Sequence, residues 1–463
     1  MSEHPKVGLA RAIRLPHATA MVVGTIIGTA IFVQPSEVTG QVPSLTGAAL
    51  VWLVAGGLTL IGALVTAELA STFPESGGVY AFLRESFGGW LGFLWGWAMF
   101  WTMHSGIIAA IGMVFAFYVG FLVELGPVGT RAVAISTILA ISAVNYFGVK
   151  QGSDLQTAFT LIKVLAIVLI VALGFSLGES PVVAEAGAAG LAGAADLAGE
   201  TAASGGGLLG GGTFSDFLMA LVAGLFAFGG WHMVTYNAEE TVDPTRTIPS
   251  ALAWGVATVT VCYVALNAVY FYVLPLETVI ASDRVAADAA EMVFGYAGGV
   301  AMTGLVMFSA FGALAGIVLS GPRVYYAMAR DGMLFKWVAE LHPRYHTPHR
   351  AIVLQALWAS VLVGTGTYRA LFTRVVYTEW IFFGLMAIGL FMLRRRPGVT
   401  RAYSAWGYPW APALFAIAAF AIVVNQVIND PVESALGLGM VAVGYPVYRF
   451  WAKPDRILPE TVA

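Results

Sequence analysis

Lys163, Glu379, His104 and His232 are ionisable residues set inside long apolar stretches of a 463-residue chain. A charge at bilayer depth is costly unless it faces a bundle interior and finds partners, so each marks a candidate site for an ion, a proton or a polar substrate. Lys163, in Thr-Leu-Ile-Lys-Val-Leu-Ala-Ile, could set its ammonium in a cation site in place of a sodium ion; the alternative is an ammonium that snorkels to the interface. Glu379, in Val-Tyr-Thr-Glu-Trp-Ile-Phe, falls in the outer third of its segment and reads either as a proton-responsive carboxyl or as a hydrogen-bonded acid between helices. His104 and His232 could titrate or touch substrate, or be hydrogen-bonded structural histidines.

The backbone offers a second kind of chemistry. Residues 21–32 read Met-Val-Val-Gly-Thr-Ile-Ile-Gly-Thr-Ala-Ile-Phe, and residues 224–232 read Gly-Leu-Phe-Ala-Phe-Gly-Gly-Trp-His. Glycine destabilises a helix interior, and non-helical backbone at membrane depth is tolerated only where it is buried in protein or lines a cavity. Unwinding at Gly28, Thr29 and Ala30 would bare the amides and positive end of a following half-helix, which suit a carboxylate. Unwinding at Phe228, Gly229, Gly230 and Trp231 would leave carbonyls at the end of a half-helix, which suit an ammonium. Together the breaks match an amino acid zwitterion. The alternative is that these glycines only let helices pack closely. Phe226, four residues before Gly230, could cover a bound substrate or simply pack.

The elements that must hold these groups are membrane spans. With 59% hydrophobic and 11% charged residues and a mean hydropathy of +0.81, the chain cannot keep a soluble surface, which is normally a quarter charged or more. Stretches long enough to span fall at 15–38, 45–72, 89–123, 132–148, 154–178, 214–237, 249–274, 297–322, 351–367, 370–393, 408–428 and 434–451, which makes twelve. With both termini cytoplasmic, eighteen of the 23 Lys and Arg lie on the inner side and four, Arg131, Arg284, Arg369 and Arg374, on the outer; Lys163 stays within a span. That bias agrees with the positive-inside rule and supports both the count and the orientation; the membrane is expected to be the cytoplasmic one. The segment that begins at residue 15 is too long for a signal-peptide core and is read as a retained span.

Residues 179–213, rich in Gly and Ala, form a flexible outward connection between two five-span blocks, 15–178 and 214–393, and residues 394–463 add two spans and a tail. Each block opens on a broken segment, as in an inverted five-plus-five repeat with its site at the midplane. Glu68, Glu239, Glu240 and Asp243 at span ends are expected to pair with arginines such as Arg246 and Arg323. The lone Cys262 allows no intrachain disulfide. No metal-ligand spacing, phosphate loop or nucleophile–base set appears, so no cofactor, metal or catalytic residue is expected, and nothing grips nucleic acid.

At these residues the chain resembles the L-type amino acid transporter family, a branch of the amino acid, polyamine and organocation superfamily. The likeness covers nearly the whole length. It includes Gly28 to Phe32, Phe-Pro-Glu-Ser-Gly-Gly-Val-Tyr-Ala-Phe at 73–82, Lys163, Gly-Leu-Phe-Ala-Phe-Gly-Gly-Trp at 224–231, Glu-Glu-Thr-Val-Asp-Pro at 239–244, Ser-Gly-Pro-Arg-Val-Tyr-Tyr-Ala-Met-Ala-Arg-Asp-Gly at 320–332 and Trp-Gly-Tyr-Pro at 406–409. The resemblance implies an all-α LeuT-type fold with discontinuous first and sixth helices, and alternating access. It implies a substrate carboxylate on amides around Thr29 and Ala30, an amine on carbonyls near Ile26, Ile27 and Phe226, and Phe226 as gate. Lys163 would replace the second sodium, giving sodium-independent transport of neutral L-amino acids. The family's usual Gly-Ser-Gly is here Gly28-Thr29-Ala30, which adds a methyl beside the site, and His232 replaces the amide that often follows the Trp. The loop expected at 124–131 lacks the cysteine through which animal relatives bind an accessory glycoprotein, so no disulfide-linked partner is expected. Exchange or uniport is the first reading. Proton-coupled symport and a non-transporting amino acid receptor are the rivals.

Overall fold

The computed structural model describes residues 13–74, 77–147, 153–178, 209–330, 332–343, 345 and 347–451. Among these the chain is helical throughout. In order come α1 (Leu15–Ile26), α2 (Gln34–Gln41), α3 (Leu45–Thr72), α4 (Val79–Phe87), α5 (Gly89–Ala98), α6 (His104–Leu122), α7 (Pro127–Tyr146) and α8 (Ser153–Leu177). Then follow α9 (Phe214–Ala227), α10 (Pro244–Val273), α11 (Leu276–Ala281), α12 (Val285–Arg330), α13 (His349–Thr365), α14 (Tyr368–Arg394), α15 (Trp410–Asn429) and α16 (Pro431–Trp451). Each of the twelve expected segments carries helix. Among the described residues eight helices are long and apolar enough to cross a membrane by themselves, and nine if the bent pair starting at Phe214 is one span.

Local chemistry sets the starts. Ser44 caps α3 by accepting from the Gly47 amide at 3.1 Å, and Thr367 does the same for α14 through Ala370. Thr213 and Asp216 form a reciprocal capping box at α9. Pro127 and Pro244 open α7 and α10, where a missing N–H leaves no bond unmade. The loop expected at 124–131 is shorter than read, because Pro127 starts the helix. The long segment at 89–123 is one continuous rod, with a π turn at Met99–Met103 joining α5 to α6.

The two glycine-marked segments are both interrupted. After α1 the backbone leaves the helix at Ile27, makes a 3-10 turn at Ala30–Phe32 and re-enters helix at Gln34. After α9 it turns at Gly230, which takes a left-handed φ of 90°, and continues as the 3-10 helix Trp231–Glu240, bent by 41°. A large packed interface between α3 and α10 stands behind the second break, with the Trp52 ring 5.8 Å from Tyr263 and 6.5 Å from Phe228.

Glu68 pairs with Arg394 and not with Arg246. Its carboxylate accepts from Arg394 Nε at 2.7 Å, from Arg394 Nη2 at 2.6 Å and from the Ala405 amide at 2.7 Å, while the guanidinium lies 3.6 Å from the Tyr408 ring centre. Asp243 does meet Arg246, at 3.9 Å on the surface; Glu239, Glu240 and Arg323 lie outside the described side chains, as does the connection over 179–208. Because Glu68 is buried and bidentate, Glu68→Gln leaves Arg394 half-satisfied and is expected to lower stability by about 1–2 kcal/mol. A melting curve of purified protein in detergent checks this; an unchanged midpoint refutes it.

Candidate functional site

The two interruptions meet at one small, partly open cavity of about 40 Å³. One wall is the first break, with Thr25, Ile26, Gly28, Thr29 and Ala30, and another is the second, with Phe226, Ala227, Gly229, Gly230 and Met233. Helix α6 adds Ile107 and Ile111, α12 adds Ala313 and Ile317, and α14 adds Val375, Val376 and Glu379. Of the residues singled out by the sequence, Ile26, Gly28, Thr29, Ala30, Phe226, Gly229, Gly230 and Glu379 therefore share one surface. Ile27, Trp231, His232 and Lys163 stand behind it. Glu379 does not sit in the outer third of its span; α14 begins at Tyr368, and the carboxyl reaches the same cavity as the breaks.

The break backbone is organised by specific partners. Gly28 N donates to Ile26 O at 2.7 Å, and Phe32 and Val33 close the 3-10 turn onto Thr29 O and Ala30 O. Neither Thr29 N nor Ala30 N donates to a backbone carbonyl among the described residues, so two amides at the head of the following helical segment are available to an acceptor. At the end of α1, Ile27 O accepts from Lys163 Nζ at 3.2 Å, and this ammonium is buried. Thr160 Oγ1, one turn earlier on α8, donates to Ala20 O at 3.0 Å, so α8 is latched to α1 twice. Tyr263 Oη lies 2.9 Å from Ile26 O and 3.0 Å from Ala227 O and so ties the ends of both broken helices to α10. Sequence reasoning missed this residue, since one tyrosine in an apolar helix carries no periodic signal. The Ile26 and Ile27 carbonyls expected to receive an amine thus already have partners, and Phe226 O accepts from Gly229 N at 3.0 Å. Each carbonyl retains a second lone pair.

Phe226, a lining residue of the cavity, begins an aromatic stack. Its ring is 5.5 Å from Phe372, which is 5.3 Å from Tyr368, and the Tyr368 hydroxyl accepts from Gln34 Nε2 at 3.2 Å. Beyond this stack Arg369 lies 3.7 Å from Glu37, linking α14 to α2. In the turn before α12, burial raises the Asp283 carboxyl above the usual carboxylate range, opposed by Arg284 and reinforced by Asp288.

On the other side of the second break is a buried polar group with few partners. Among the described residues neither ring nitrogen of His104 or His232 has a hydrogen-bond partner, nor do Tyr325 Oη or the Gln355 amide. His232 lies 5.9 Å from the Trp95 ring and 5.8 Å from Tyr236. Gln355 Oε1 and His104 Nδ1 converge on Gly321, where a methyl group would come within 2.5 and 2.6 Å of them. Buried polar atoms left unpaired are destabilising by about 1–3 kcal/mol each, and such atoms concentrate where a structure serves more than packing. The arrangement has the parts for binding and releasing a zwitterion: free amides, carbonyls at a helix end, an apolar chamber and a fixed internal cation.

Residues 13–443 match the family described as amino acid permease. The chain is 30% identical over 447 residues to the serine/threonine exchanger SteT of Bacillus subtilis (strain 168), covering 95% of this chain and 97% of that protein. It is 30% identical to the Asc-type amino acid transporter 1 of Mus musculus, covering 98% and 84%. It is 28% identical to the cystine/glutamate transporter of Homo sapiens, covering 97% and 88%.

Proposed function

The chain belongs to the amino acid permease family, and we propose that it exchanges neutral L-amino acids across the cytoplasmic membrane, without sodium, by alternating access. Transport is the family's activity, so the chemistry is differential binding to two states and not bond making. The observation that carries the reading is the meeting of both broken helices at one cavity, with the Thr29 and Ala30 amides unspent and Lys163 Nζ on Ile27 O. An ammonium at that carbonyl does the work a bound cation would do there, which supports sodium independence. In this reading Phe226 is the gate, the backbone at 26–30 and 226–230 holds the zwitterion, and Trp231 and His232 support the second break. The chain crosses the membrane twelve times as two five-helix blocks, 15–178 and 214–393, plus two helices, with both termini cytoplasmic. It works without a disulfide-linked accessory subunit.

In proteoliposomes, uptake of labelled neutral amino acids is expected to require unlabelled amino acid inside and to be unchanged when potassium replaces sodium. Uptake into empty vesicles that follows an imposed proton gradient would replace exchange by proton symport. No accumulation under any gradient would leave a receptor.

A further inference from the structure

The breaks supply backbone groups, which can read only what every α-amino acid shares. Discrimination must come from side chains on the cavity wall, and that wall is almost wholly apolar: Ile107, Ile111, Ala313, Val375 and Val376 make up much of it. Two of its hydroxyls belong to Thr25, which donates to Met21 O at 2.6 Å, and Thr29, whose Oγ1 is buried without a partner. Among the described residues Glu379 is the one ionisable side chain that lines the cavity. It is 5% exposed, and among the described residues no hydrogen bond or ion pair engages its carboxyl. The contrast with Glu68, likewise buried but held by three donors, is direct.

A carboxyl left in an apolar wall carries a desolvation penalty that a partner removes. Among the described residues no side chain hydrogen-bonds or ion-pairs with that carboxyl, and a substrate held by the two breaks would reach it with its side chain. We propose that Glu379 is the specificity-determining residue and that the transporter selects amino acids whose side chain ends in a hydrogen-bond donor, a hydroxyl or an ammonium, over aliphatic isosteres. The inference rests on the transport reading and extends it to the substrate's side chain: a hydroxyl keeps the neutral substrate class of that reading, and a preference for the ammonium would replace it with a cationic one. The orphan Thr29 hydroxyl serves the same end as a second polar contact. A site built around a polar partner rejects the analogue that lacks it, because its own group is then left unpaired.

Matched pairs test this in proteoliposomes: threonine against valine, a hydroxyl for a methyl, and 2,4-diaminobutyrate against norvaline, an ammonium for a methyl. The donor-bearing member of at least one pair is expected to compete about tenfold better. The preference is expected to fall within about twofold in Glu379→Met. Preference in the first pair alone identifies a hydroxyl substrate, and in the second alone a cation; Glu379→Gln then keeps the hydroxyl preference but loses the ammonium one. Equal competition within both wild-type pairs overturns the proposal, as does an unchanged preference in Glu379→Met. Should that variant fail to fold, thermal stabilisation of the wild-type protein by the same four compounds decides, equal shifts within both pairs overturning it. Aliphatic amino acids that are carried while the pairs are indistinguishable sink only this inference. Failure to carry any amino acid sinks the transport reading as well.

Discussion

Lys163→Met is expected to cut exchange by about tenfold to a hundredfold while the protein still folds. The ammonium donates to Ile27 O at the end of α1, where the chain leaves the helix and its last carbonyls have no intrahelical donor. A cation there also faces the negative end of the helix dipole. A hydrogen bond to a charged group is worth about 1.5–3 kcal/mol, which sets the range. Methionine keeps the straight apolar stem and removes the charge and donors, so α8 still packs on α1, and Thr160 still holds Ala20 O at 3.0 Å. The loss should therefore appear in uptake much more than in the melting temperature. Sodium should not restore it, because the remaining carbonyl alone is no cation site. Uptake within threefold of wild type would show that the ammonium is merely tolerated at this position.

The sequence makes Lys163 conspicuous as the one basic residue deep in a span, yet its partner is 136 positions away and nothing local announces it. The same limit explains Glu68. Arginines at neighbouring span ends look like its partners, but Arg394 is brought to it across 326 positions by the packing of α14 beside α3. The breaks themselves were legible, because glycine in an apolar run has a direct backbone meaning. The way their ends are tied was not: Tyr263 reaches Ile26 O and Ala227 O from a third helix. His104 and His232 are buried, as histidines inside apolar segments would be, but the hydrogen bonds expected of structural histidines are absent among the described residues. That their ring nitrogens would lie unpaired beside Trp95, Tyr236 and Gln355 is a property of tertiary placement alone. Glu379 stands out in the sequence as an acid in an apolar segment, while its position on the cavity wall is a property of tertiary placement.

Sequence reasoning also treats the glycines of the two breaks alike, and the structure separates them. Gly28 has no positive φ, and a methyl added there would find Ile26 O at 3.9 Å and Ala313 Cβ at 4.0 Å, ordinary contacts beside the cavity. Gly230 has a φ of 90°, and its added methyl would stand 2.7 Å from Thr25 Cγ2. Thr25 cannot swing aside freely, because its hydroxyl is bound to Met21 O at 2.6 Å. Left-handed backbone strain adds about 1–2 kcal/mol and overpacking about 1–3 kcal/mol, both applied where α1 crosses the second break. Gly230→Ala is therefore expected to lose more than about a hundredfold in exchange and to melt earlier. Gly28→Ala is expected to keep its melting temperature and to shift competition toward smaller amino acids. Adding Thr25→Ser to Gly230→Ala removes the opposing methyl but keeps the hydroxyl, so it should recover the steric part of the loss and not the part set by φ. If the double variant gains nothing, strain at residue 230 alone holds the second break in shape; if Gly230→Ala transports normally, the left-handed turn is not needed for transport.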